Sequence, residues 1–140
     1  GVMGSSMGGV ISLYIALVQP GEWHFAASLS GAFSWGSRNL ANPTIIDLYR
    51  DAGHGSTPIY LDSGGGGSAC RDGDGDGVND DDPSEQDGYC TTLQMRDLLA
   101  ANGYTFNVDL WHWYEPGAAH NEPAWADRVS RPLGIFAAMR

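Results

Sequence analysis

Ser6 stands at the centre of Gly4-Ser5-Ser6-Met7-Gly8, a G-x-S-x-G run followed directly by Gly9. Such a run can set a serine on a sharp strand-to-helix turn with its hydroxyl out in the open. A serine hydroxyl becomes a useful nucleophile only when a base takes its proton, and an imidazole is suited to that task. The chain has four histidines. His120 lies in Gly117-Ala118-Ala119-His120-Asn121-Glu122, a loop between an apolar stretch and the last helical pattern. His112 is enclosed by Trp111 and Trp113 and reads as a packed strand residue. His24 precedes a strand, and His54 falls in a turn. Taken singly, the glycine-serine run fits an ordinary helix start and His120 fits a solvated loop. Together they suggest nucleophile and base.

A second chemistry is written between Cys70 and Cys90, where seven Asp and one Glu face one Arg. Asp72-Gly73-Asp74-Gly75-Asp76-Gly77-Val78-Asn79-Asp80 follows the opening of a calcium loop. Carboxylates of Asp72, Asp74 and Asp76 would converge on one hard cation. Gly77 would allow the sharp turn, and Val78 would offer its carbonyl, with Asp80 as a further ligand. The closing acidic ligand of an EF-hand is absent, because Pro83 takes its place between Asp82 and Glu85. The expectation is a structural Ca²⁺ in a loop like the calcium repeats of thrombospondin type 3. The bland reading is a solvated acidic loop. Two cysteines cannot build a zinc site, and no C-x-x-C occurs. A Cys70–Cys90 disulfide at the base of the insert is expected, stabilising the fold by about 3 kcal/mol. It implies an oxidising compartment, extracellular or periplasmic.

These residues need elements to hold them. Val2 and Met3 suffice for the end of a strand, and Val10 to Val18 have helical spacing up to Pro20-Gly21. Phe25 to Ser30 and Thr57 to Asp62 read as short buried strands. Asn42-Pro43 suggests a cap and first helical residue for a helix running to Gly53. Thr91 can cap a helix ended by Asn102-Gly103. Tyr104 to Tyr114 reads as a strand with alternation at Phe106, Val108 and Leu110, closed by Glu115-Pro116-Gly117. Asn121 can cap a last helix, which Pro132 should break or kink. The alternation of strands and helices predicts an α/β fold, a mainly parallel sheet covered on both faces.

The 140 residues fit one domain, residues 1–140, with an acidic insert at 68–90. The net charge is −10, of which −7 belongs to the insert. With only seven Lys and Arg, nucleic acid is not an expected partner. No apolar run has the length of a membrane span.

Gly4-Ser5-Ser6-Met7-Gly8-Gly9, Tyr60-Leu61-Asp62-Ser63-Gly64 and His120-Asn121-Glu122-Pro123-Ala124-Trp125-Ala126-Asp127-Arg128 together resemble the putative esterase family of α/β-hydrolases. That family includes enterochelin esterase-like proteins, feruloyl esterases, esterase D and mycolyltransferases. The resemblance covers nearly the whole chain outside the insert. It implies Ser6 as nucleophile, His120 as base, the Met7 N–H as one oxyanion donor, and Glu122 and Trp125 as supports of the histidine loop. It also implies that this is the C-terminal portion of an α/β-hydrolase fold, whose earlier strands and second oxyanion donor lie upstream. An isolated piece with an open sheet edge would then be poorly soluble and inactive.

The family's acid follows the strand-ending glycine by a few residues, but Gly65, Gly66 and Gly67 occupy those places. Relatives with a longer loop carry it just before the next helix, which here is Asp87. Asp62 is the alternative, and Asp72 a third option. The expected function is a serine carboxylic ester hydrolase acting through an acyl-enzyme, with no cofactor for catalysis and a small or polymer-linked ester as substrate. A calcium-binding or adhesive module, a non-catalytic hydrolase-fold domain and an acyltransferase of the same fold are the rival readings.

Overall fold

A computed structural model describes residues 1–36, 43–67, 69–82 and 87–139. The elements run β1 (Val2–Ser5), α1 (Met7–Val18), β2 (Ala26–Leu29), α2 (Ile45–Ala52), β3 (Ile59–Ser63), α3 (Tyr89–Ala101), β4 (Leu110–Tyr114), α4 (Glu122–Arg128) and α5 (Ser130–Ala138). The four strands form one sheet in the order β1-β2-β3-β4 with every neighbouring pair parallel. Parallel neighbours require crossovers, and α1, α2 and α3 supply them. All four strands therefore end at the same edge, where Ser5, Leu29, Ser63 and Tyr114 lie.

The period of two along each strand sorts side chains to opposite faces. Ala26, Ile59, Leu61 and Leu110 join Leu13, Ile46, Met95 and Leu99 from α1 to α3 in the larger core. Ala27 and Tyr60 meet Phe25, Trp111 and the α5 residues Ile135 and Phe136 on the other face. Helices thus cover both faces, as the alternating pattern predicts. Along α1, Met7, Ile11, Tyr14 and Val18 form an exposed apolar stripe at helical spacing. Among the described residues no helix is long and apolar enough to cross a membrane.

Several boundaries depart from the sequence reading. Asn42, expected to cap α2, lies outside the described residues, as does Arg38. The cap is Thr44, paired with Asp47 in a reciprocal capping box, so Pro43 precedes the helix. The strand expected from Tyr104 begins only at Leu110. Residues 105–109 form a turn in which the Thr105 carbonyl accepts from Val108, Asp109 and Leu110. Asn107 takes a positive φ there, which leaves Phe106 and Val108 exposed. α3 starts at Tyr89, two residues before the Thr91 expected to cap it. The last helix does break, but at Val129. Pro132 sits in the first turn of α5, where its missing N–H costs nothing while its ring excludes continuity with α4.

Candidate active site

Ser6 occupies the turn between β1 and α1. Its backbone has φ 52 and ψ −121, an uncommon conformation for a residue with a side chain. Neighbouring bonds over-determine it: the Ser6 N–H donates to Leu29, and its carbonyl accepts from Gly9, Val10 and Ala32. Gly4 is needed for this turn, because a Cβ there would run into the Gly8 backbone. Met7 is the first residue of α1, so its N–H has no acceptor within the helix.

His120 reaches the same edge from the loop after β4. Its Nε2 is 2.9 Å from Ser6 Oγ. Its Nδ1 is 3.4 Å from the backbone carbonyl of Asp87. With Nδ1 protonated and donating to that carbonyl, Nε2 is left to accept from the serine. The Trp125 ring packs edge-on against the imidazole, with centroids 5.1 Å apart. Trp125 is on α4, whose start is fixed by the Asn121 side chain accepting from the Ala124 N–H. Glu122 is exposed in the first turn of α4 and complements the positive end of the helix.

Asp87 is 7% exposed, unlike a solvated charge of an acidic loop. Its Oδ1 accepts from the Tyr89 N–H at 3.0 Å. The carboxylate fills the space where a Cβ on Gly65 would stand. Gly65 therefore leaves room for a carboxylate arriving from the insert side. A depression of about 320 Å³ is lined by Gly65, Gly66, Asp87, Gly117, Ala118 and His120.

Asp62, the alternative acid, is committed elsewhere. It is fully buried, and its Oδ1 accepts from Arg128 Nη2 at 3.1 Å and from the Ser30 N–H at 3.1 Å. Its Oδ2 accepts from the Tyr60 hydroxyl at 3.2 Å. Burial pushes the Asp62 carboxyl above its ordinary value, against the opposing pull of Arg128 and these hydrogen bonds. Arg128, at the end of α4, is itself only 2% exposed and also donates to Ser30 Oγ at 2.8 Å. The pair ties α4, and so the His120 loop, to the ends of β2 and β3. The sequence pattern included Arg128, but its burial against Asp62 had no local signal.

The other histidines lie apart from Ser6. His54 Nε2 is 2.9 Å from Asp109 Oδ2, and His24 lines a depression with Trp23, Phe136 and Met139. Both stand near the opposite ends of the strands. His112 is packed in β4, and burial, followed by nearby Arg96, pushes its pKa down to about 4.

Cys70 and Cys90 are disulfide-bonded, with Cα atoms 5.2 Å apart. Oxygens of Asp72, Asp74 and Asp76 lie within 4.8 Å of one another, a spacing suited to a hard cation. Asp80 is outside that group, and its carboxylate accepts from the Gly73 N–H at 2.8 Å. Asp72, the third option for the acid, accepts from the N–H groups of Gly75, Asp76 and Gly77. Val78 is buried in the main core, and Gln94 of α3 bonds both Asn79 N–H and the Gly77 carbonyl. Pro83 and Glu85 lie outside the described residues.

Among solved structures the chain is similar to the enterobactin esterase FES from Shigella flexneri, crystallised in the presence of enterobactin. The TM-score is 0.65 at 14% identity, over 99% of this chain and 30% of that one. The likeness is one of fold, and the chain spans about a third of that protein's length. No curated protein sequence matches this one. The sequence profile described as putative esterase matches residues 1–133. With nearly the whole chain inside that profile, and a parallel α/β sheet beneath it, the protein belongs to the putative esterase family.

Proposed function

We propose that this chain carries the reacting groups of a serine carboxylic ester hydrolase that works through an acyl-enzyme. The observation that carries the reading is the 2.9 Å separation of Ser6 Oγ and His120 Nε2 at a strained strand-to-helix turn. Ser6 Oγ attacks the ester carbonyl carbon while its proton passes to His120 Nε2. The Met7 N–H donates to the oxyanion that develops. His120 returns the proton to the leaving alcohol, and the C–O bond breaks to leave an acyl group on Ser6. Water then attacks that carbon, again losing its proton to His120; the bond from the carbon to Ser6 Oγ breaks, Oγ takes that proton back from His120, and the carboxylic acid departs. Asp87 holds the imidazole in its Nδ1–H tautomer and compensates the imidazolium charge. The open site suits a small ester or one linked to a polymer. The disulfide suits an exported protein.

The test is to quench turnover of an activated acetyl ester with acid and to map the acetyl group by mass spectrometry. Acetylation of the peptide containing Ser6, absent after Ser6→Ala, supports the mechanism. Turnover with no acetylated peptide, or undiminished turnover in Ser6→Ala, refutes it.

The converging oxygens of Asp72, Asp74 and Asp76 support a second assignment, a structural Ca²⁺ in the insert. Calcium should raise the melting temperature, and Asp74→Asn with Asp76→Asn should remove that increment. An unchanged melt with calcium would dismiss the ion.

A further inference from the structure

We infer that Asp81 is the positioning residue that sets the orienting group opposite His120. The inference rests on the reading of Asp87 as the residue that orients the base. α3 has no cap of its own, because Gly88 at its N-cap position has no side chain and takes φ 81. A side chain there would also be crowded, since a Cβ on Gly88 would stand 3.1 Å from the Gly31 carbonyl oxygen. The first N–H groups of a helix still need acceptors. Asp81 supplies them from the acidic insert. Its Oδ2 accepts from the Gly88 N–H at 2.7 Å, and its Oδ1 from the Cys90 N–H at 2.7 Å. The N–H between them, on Tyr89, goes to Asp87 Oδ1. Three consecutive N–H groups are thus held by two carboxylates in alternation.

The consequence follows from the peptide bond. Gly88 N–H and Asp87 C=O belong to one peptide unit, which is planar and trans. Fixing the direction of the N–H fixes the opposite direction for the C=O. That carbonyl is the one that faces His120 Nδ1 at 3.4 Å. A carboxylate on the N–H also polarises the unit and makes its carbonyl a better acceptor. Asp81 therefore acts on the base through one peptide plane, and on the Asp87 side chain through the turn that plane belongs to. The Cys70–Cys90 disulfide anchors the same turn.

The experiment compares Asp81→Ala, Asp81→Asn and Asp87→Ala in the full-length protein with p-nitrophenyl acetate as the probe. Both Asp81 variants should lower kcat by about 10- to 100-fold through misplacement of the base. KM should move by less than about twofold, because nothing that holds the ground state is touched. The low-field Nδ1–H proton resonance of His120 should broaden or vanish in both, which a loss of stability alone would not cause in a folded sample. Asp81→Asn keeps one acceptor oxygen and the volume, and it decides the matter if Asp81→Ala does not fold. Wild-type kcat and an intact resonance in folded Asp81→Asn overturn the inference. Loss of activity in Asp87→Ala beside normal Asp81 variants overturns it while leaving Asp87 as the acid. Normal activity in Asp87→Ala removes the Asp87 carboxylate from the mechanism, whatever the Asp81 variants show.

Discussion

Arg128→Met removes one half of an ion pair that is almost wholly out of water, and its cost can be worked from the contacts. Asp62 is fully buried and Arg128 2% exposed. Without the guanidinium, the ionised carboxylate keeps, among the described residues, the Ser30 N–H and the Tyr60 hydroxyl as donors. An uncompensated buried charge of this kind costs about 3–5 kcal/mol. Against a typical total of about 5–15 kcal/mol, that is a large share. The sign of the pH dependence is fixed by the raised carboxyl. Burial already lifts Asp62 above 3.8, so the native state holds this proton more tightly than the unfolded chain. Its favourable contribution is complete below the unfolded value and is lost as pH rises through the native one. Removing Arg128 takes away a lowering influence and extends that window upward. Urea denaturation should therefore show a larger deficit at about pH 7 than at about pH 5. Arg128→Met with Asp62→Asn should recover about half of the loss or more, because no buried charge remains. A deficit below about 1 kcal/mol at neutral pH, or no recovery in the double variant, would refute the reasoning.

Other outcomes follow from the same contacts. Gly65→Ala places a methyl group where the Asp87 carboxylate lies, and it also strains a backbone at φ 88. Ester turnover should fall by about tenfold or more while the fold persists, and unchanged kcat would sink the packing argument. Thr44→Ala removes the α2 capping box and should cost about 1 kcal/mol in chemical denaturation. His112 is held near 4 by burial, so the native state disfavours its protonation. That contribution is full above 6.5 and is lost as pH falls towards 4; His112→Gln should flatten the pH–stability curve over this window. Dithiothreitol, by opening Cys70–Cys90 beside the Asp81 anchor, should lower kcat in the folded protein, and insensitivity would detach the insert from catalysis.

The turn that carries Ser6 and the loop that carries His120 are legible in the sequence because they depend on local rules. The glycine-flanked serine falls between an apolar strand and helix, and Gly4 is required by the close Gly8 backbone. Asn121 caps α4 as its type and place suggest. What escaped was non-local or hidden by a competing pattern. Residues 104–110 alternate like a strand, yet Asn107 and the Asp109 carboxylate bonding the Thr105 N–H make a turn. The start of α3 is set by Asp81, remote from the helix, so Thr91 is the better local candidate and still the wrong one. Asp62 had the position of a triad acid on the chain, but the fold turns it inward to Arg128. The Thr44 capping box is written in Thr44 and Asp47, but the Asn-Pro pair just before it is the stronger local cap signal.

The central claim is an activated serine. Fluorophosphonate labelling of the folded protein tests it directly, with Ser6→Ala and His120→Ala alongside. The account predicts labelling that disappears in Ser6→Ala and slows by about 100-fold or more in His120→Ala. Labelling that persists in Ser6→Ala, or no labelling of the folded wild-type protein, would contradict it.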